Sequence, residues 1–218
     1  MMTIYRVICL LIGYCFGLFQ TGYIYGKAHK IDIRQHGSGN AGATNTLRTL
    51  GWKAAAVTFF GDLLKAMLPI FLTWLLFKDK YPESIKVLEM YAGLGAVLGH
   101  NYPFYLKFKG GKGIACTSGF ILACFPLFAP LCLILFIGAV AITRFVSLGS
   151  ILVVIFFYLQ LVISGRMGWL SSSPDNLTEI YVLGAVFTLL ALWKHRENIK
   201  RLLKGTENKL SLGKKEEK

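Results

Sequence analysis

Charge is scarce in this chain, and negative charge is the scarcer. Only 16% of its 218 residues are charged, and 11 carboxylates face 24 lysines and arginines, for a formal net charge of +13. With 55% of the residues hydrophobic, there is too little polar surface for a soluble domain, which points to a multi-span membrane protein of one domain. Paired cysteine chemistry is also missing. Cys9, Cys15, Cys116, Cys124 and Cys132 all sit in apolar runs, without a CxxC pair or a histidine at metal-ligand spacing. They read as small core or lipid-facing hydrophobes, and no disulfide framework, metal or cofactor is expected. No internal repeat is visible, and no nucleic-acid partner is expected.

What is present is a series of apolar runs separated by three polar islands. Tyr5 to Tyr25 is long enough to cross a bilayer core of about 30 Å and is read as the first span. A removable signal peptide is the weaker reading, because no small-residue cleavage pattern follows it. Lys27, His29, Lys30, Arg34 and His36 then lead into the first island, Gly37 to Arg48, whose sequence is GSGNAGATNTLR. Its glycines let backbone N–H groups approach a ligand, its hydroxyls and amides offer further hydrogen bonds, and Arg48 supplies a fork for an oxyanion. That is phosphate-handling chemistry, although one such loop alone could be an ordinary connection.

Ala54 to Phe77 is the second span, interrupted by Asp62 and Lys65 beside Gly61. Three residues apart, the two share a helical face and can pair, and ionisable groups at such depth usually face a polar cavity. After the mixed-charge connection Lys78 to Lys86 comes a short apolar stretch, Val87 to Leu98, where Gly93 and Gly95 suit close packing against another helix. The second island, Gly99 to Gly113, places Tyr102, Phe104, Tyr105 and Phe108 among lysines, the look of an interfacial aromatic belt. It ends in Gly110-Gly111-Lys112-Gly113, which opens into an apolar helix and could cradle a phosphate on N-terminal amides. Gly113 stands where a Walker loop needs Ser or Thr, so ATP hydrolysis is unsupported.

Ile114 to Ile142 is too long for one span, and Pro126 and Pro130 near its middle predict a turn that divides it. Val146 to Ile163 and Ile180 to Trp193 then bring the count to seven. An odd number leaves the N-terminus outside and the three islands, with Arg144, on the cytoplasmic side, in keeping with the positive-inside tendency. Arg166 to Asn176 becomes an outer loop. The third island, Lys194 to Lys209, contains anchoring lysines and arginines of the ordinary kind, but His195 and Asn198, three apart on one helical face, are not anchors. The expectation is an all-α seven-helix transmembrane bundle over residues 1–210, with 211–218 a charged, disordered tail.

The three islands, SGNAGATNTLR, GHNYPFYLKFKGGKGIA and KHRENIKRLLKGTEN, together resemble the three signature motifs of the bacterial acyl-phosphate:glycerol-3-phosphate acyltransferases, the PlsY family. The resemblance implies a multi-pass enzyme of the bacterial plasma membrane. It would move a fatty acyl group from acyl-phosphate to position 1 of glycerol 3-phosphate, releasing lysophosphatidic acid and phosphate. It also implies Ser38, Arg48, His195 and Asn198 as catalytic residues, Gly110, Gly111 and Gly113 as the phosphate loop, and Glu207 as structural support. Gly39, Asn40, Thr44, Asn45, His100, Lys109 and Lys112 complete the substrate-binding candidates. The His-x4-Asp mechanism of soluble glycerolipid acyltransferases is excluded, since His29, His36, His100 and His195 are followed at that distance by Arg34, Ala41, Tyr105 and Lys200.

The chemistry agrees with the residue supply. An acyl-phosphate is already activated, so no acyl-enzyme is required, and a site that holds two anions gains mainly from proximity and oxyanion stabilisation. Many donors and few carboxylates suit such a site. Ser38 is therefore read as a hydrogen-bond donor ahead of a nucleophile. The base for the glycerol hydroxyl is His195, His100 or, as favoured, the substrate's own phosphate, whose second pKa is about 6. A transporter for an organic phosphate is the alternative function, and a non-enzymatic lipid-binding protein a third.

Overall fold

A computed structural model describes residues 2–170 and 172–210. The charged tail expected over 211–218, and Ser171 of the outer loop, lie outside the described residues. Among the described residues every regular element is helical: α1 (Met2–Gly17), α2 (Thr21–Ala28), α3 (Ala43–Leu50), α4 (Trp52–Phe77), α5 (Ile85–Asn101), α6 (Ile114–Cys124), α7 (Ala129–Thr143), α8 (Val146–Arg166), α9 (Pro174–Lys194) and α10 (Arg196–Leu203), with short 3-10 turns between some of them. Five stretches are long and apolar enough to cross a membrane: 2–28, α4, 126–143, α8 and α9. This is an integral membrane protein. The shorter α5 and α6, of 17 and 11 residues, pack against α4, and α5 also lies along α1.

The tightest seam is α1 on α5. In lipid, helices gain little from hiding apolar surface from one another, so close packing of small residues takes over. Gly13 and Gly17 of α1 lie on Ala92 and Ala96 of α5, while Gly95 and Gly99 lie on the backbone of Leu10 and Tyr14. A methyl group at Gly95 would fall 2.0 Å from the Leu10 carbonyl oxygen. Gly93, expected to pack with Gly95 against a neighbour, instead faces a second one, the Phe120 ring of α6. Phe120 stacks on Phe187 of α9 with centroids 4.0 Å apart and meets Phe157 of α8 edge-on, which closes the core.

Two breaks shape the bundle, one at its polar end and one at the opposite end. The first apolar run is not one helix: it stops at Gly17 and restarts at Thr21. The reason is hydrogen bonding, because buried Gln20 donates through Nε2 to the carbonyls of Gly17, Gly99 and His100, tying the break to the end of α5. The second break is the divided run predicted from Pro126 and Pro130. Helix α6 ends at Cys124, Pro126 opens a 3-10 turn, and Pro130 sits in the first turn of α7, where its missing N–H costs nothing. Arg144 (φ 62°) then ends α7 in the left-handed region. The second and last spans also run longer than expected, starting at Trp52 and Pro174.

Candidate active site

The first island is built around Asn45. This side chain is 1% exposed, and its Nδ2 donates to the carbonyls of Ile33 (2.8 Å), His36 (3.0 Å) and Asn40 (2.9 Å), while Oδ1 accepts from Ser38 N–H (2.8 Å). One amide therefore folds the whole loop. The loop also needs Gly37 and Gly39, whose φ angles of 57° and 69° suit residues without a Cβ. Upstream, Asp32 caps the short turn through Arg34 N–H, and the Arg34 guanidinium beside it holds its carboxyl down at about 2. The loop leads into α3 so that Gly42, Ala43 and Thr44, at the helix N-terminus, border a cavity. One and a half turns on, Arg48 borders it too.

The cavity has a volume of about 140 Å³ and gathers residues from all three islands. From the second come His100, Lys112 and Gly113, the last in a left-handed conformation (φ 83°) that starts α6 with Ile114 and Ala115 facing the space. The third contributes His195, Asn198, Arg201, Glu207 and Asn208. The N-termini of α3 and α6 thus open into one space, and α10 begins at its edge. Free N–H groups and aligned peptide dipoles favour an anion there.

Hydrogen bonds join the second and third islands. Lys112 Nζ donates to Asn198 Oδ1 at 2.5 Å, and Asn198 Nδ2 donates to Glu207 Oε1 at 2.9 Å. The other oxygen of Glu207 accepts from Arg201 Nε at 2.9 Å. Arg48 Nη2 reaches the Asn208 carbonyl at 3.4 Å, so the first and last islands meet. Burial lowers the Lys112 ammonium to about 8, although Glu207 partly opposes the shift. Burial, with Lys112 nearby, also lowers His195 to about 4, leaving a neutral ring at pH 7. Its Nδ1 lies 2.8 Å from the Ala191 carbonyl, which can only accept, so Nδ1 carries the proton and Nε2 is the bare nitrogen.

Most of the candidates read from the sequence gather here: Ser38, Asn40, Thr44, Asn45, Arg48, His100, Lys112, Gly113, His195, Asn198 and Glu207 border the cavity. Gly39, Lys109, Gly110 and Gly111 do not border it, and Lys109 is exposed. Gly111 sits instead against the His100 ring, where a Cβ would lie 1.9 Å from Nε2. Asp62 borders the cavity, as its depth in α4 foretold, and pairs with Lys65 at 2.8 Å. Sequence reasoning missed Arg201, taken for a lipid anchor, and the apolar wall of Phe59, Ile114, Phe136 and Val146 with Ser147 and Ser150. The serines carried a signal, since they are polar residues three apart at the start of a greasy helix.

Comparisons with known proteins agree in one direction. The family model described as glycerol-3-phosphate acyltransferase matches residues 7–205. The glycerol-3-phosphate acyltransferase of Thermoanaerobacter pseudethanolicus is 41% identical over 207 residues, covering 94% of this chain and 96% of the relative. That of Halalkalibacterium halodurans is 43% identical over 211 residues, covering 95% and 96%. The crystal structure of PlsY, an integral membrane glycerol 3-phosphate acyltransferase, in its glycerol 3-phosphate form superposes with a TM-score of 0.81. The two chains are 33% identical, and the match covers 94% of this chain and 96% of that one. The lysophosphatidic acid form of the same protein gives a TM-score of 0.79 at 32% identity, covering 94% and 95%.

Proposed function

This chain belongs to the glycerol-3-phosphate acyltransferase family, and from that premise we propose that it transfers a fatty acyl group from acyl-phosphate to the sn-1 hydroxyl of glycerol 3-phosphate. The products are lysophosphatidic acid and inorganic phosphate, the first step of phospholipid synthesis, at the bacterial plasma membrane. The observation that carries this reading is one cavity with two kinds of wall. Arg48, Lys112, Arg201 and two helix N-termini form a donor-rich wall, and Phe59, Ile114, Phe136 and Val146 form an apolar one. Two phosphate-bearing reactants need the first and a fatty chain needs the second.

In this reading Arg48 and Lys112 hold phosphate oxygens, Ser38 donates a hydrogen bond at the reacting centre, and Asn198 is positioned by Glu207. Holding both anions side by side supplies proximity, and the donors stabilise the oxyanion that develops at the acyl carbon. The glycerol hydroxyl gives its proton to a phosphate oxygen. His195 is the weaker candidate, because burial and the neighbouring Lys112 hold its ring down at about 4. Residues 1–210 act as one transmembrane domain. The five long spans, with α5 and α6, make seven crossings that put the N-terminus outside and all three islands in the cytoplasm.

The test is direct. Purified protein in lipid, given acyl-phosphate and labelled glycerol 3-phosphate, releases phosphate and labelled lysophosphatidate in equal amounts. Uptake of label into sealed vesicles without product would instead mark a carrier. Cysteine labelling between Lys78 and Lys86 from outside, and near Lys209 only from inside, checks the orientation.

A further inference from the structure

Asp62 and Lys65 form a buried ion pair in the middle of a membrane helix, and the proposed chemistry does not use it. Their side chains are 1% and 5% exposed. Such a pair is costly to bury, and replacing it by apolar residues is often neutral or stabilising, so stability alone does not account for it. The surroundings do. The three ammonium hydrogens of Lys65 meet three acceptors: the Phe19 carbonyl (2.5 Å), Asp62 Oδ1 (2.8 Å) and His100 Nδ1 (2.9 Å). Asp62 Oδ1 also accepts from Thr21 Oγ1 at 3.0 Å, and Thr21 comes this near only because residue 61 is glycine. An ammonium cannot accept a hydrogen bond, so Nδ1 of His100 is the bare nitrogen and its proton sits on Nε2. That nitrogen is the one lying under Gly111, and the His100 carbonyl accepts from Gly111 N–H at 3.1 Å.

We propose that Asp62 and Lys65 are positioning residues for the reaction. They hold His100 as the Nε2–H tautomer, so that the ring both supports the Gly110-Gly111 turn and borders the substrate cavity as a fixed donor. His100 and His195 are then complementary, one ring a donor and the other an acceptor, each set by a buried partner on its Nδ1. Lys65 also neutralises the carboxylate that borders an anion site. This inference rests on the glycerol 3-phosphate reading above, but its first measurement does not.

Nitrogen NMR of full-length protein in lipid, with 15N-labelled histidine, reads the tautomer without any substitution, and His100→Gln identifies its signals among the four histidines. A neutral ring with the proton on Nε2 is expected, and a proton on Nδ1 overturns the proposal. The second arm uses Asp62→Asn with Lys65→Met, which removes both charges together. The proton is then shared between the two ring nitrogens, and KM for glycerol 3-phosphate rises at least about tenfold while kcat changes less than about threefold. Lys65→Arg, which keeps a donor, restores most of the native KM. A double variant with native tautomer and native KM makes the pair merely structural and sinks the proposal. Absence of acyl transfer by the unsubstituted protein would instead defeat the reaction assigned above, and the tautomer would still decide the network.

Discussion

Two of the polar clusters in this bundle lie toward opposite ends, and of these the Asp62 cluster borders the candidate-site cavity. Toward the starts of α1 and α9, Arg6 pairs with Glu179 at 2.5 Å and Tyr91 donates to the same carboxylate at 2.9 Å. Toward the other end, Asp62, Lys65, His100 and Thr21 form a denser set. Both join three elements; Asp62 and Lys65 stand three apart inside an apolar run, whereas Arg6 and Glu179 lie 173 positions apart and nothing local pairs them. They differ in surroundings. Arg6 and Glu179 are each one-quarter exposed, more open than Asp62 and Lys65. The other pair is sealed, borders the candidate-site cavity through Asp62 and touches the second island through His100. A charged pair in a membrane protein therefore points to function through what it adjoins.

That contrast can be tested by perturbing each region, beginning at the cavity. Arg48→Ala lowers kcat/KM about 10³-fold while leaving expression and melting temperature near native, because a charged oxyanion partner is lost from an accessible wall. Near-native turnover would remove Arg48 from the site. Gly111→Ala places a methyl 1.9 Å from His100 Nε2, and a buried ring has little room to retreat. Overpacking of this kind predicts about a 10- to 100-fold rise in KM for glycerol 3-phosphate, read from substrate dependence at fixed acyl-phosphate.

Smaller effects come from proton equilibria and from the far cluster. With Lys112 lowered to about 8, its positive charge is present below that pH and lost above it. The kcat/KM for glycerol 3-phosphate accordingly falls by about tenfold per pH unit beyond 8, and Lys112→Arg shifts this limb to higher pH; an unchanged profile in that variant would assign it elsewhere. At the opposite end, Arg6→Met lowers the melting temperature by only a few degrees and leaves both KM and kcat unchanged. Kinetic damage there would erase the distinction between the two clusters.

Much of this was legible before any coordinates. Apolar runs of bilayer length announced the membrane helices, the two prolines announced the division between α6 and α7, and Asp62 inside an apolar run announced the cavity it borders. Local chemistry was enough in each case. Other features depended on distant partners. The break after Gly17 exists because Gln20 bonds to the end of α5, some 80 residues away. Lys109 and Lys112 look alike in sequence, yet one is exposed and the other reaches Asn198. Arg201 looked like one more lipid anchor until Glu207 turned it toward the cavity.

By itself, then, the sequence determined which segments are greasy, where the chain must turn and which stretches are rich in hydrogen-bond donors, since these follow from composition and from residues a few positions apart. Only the tertiary structure decided which donors share a cavity, which nitrogen of His100 and of His195 meets a buried partner and which buried charges adjoin that cavity. Hydrogen bonds and ion pairs are settled by ångström distances between residues far apart in the chain, and those distances exist only once the helices have packed.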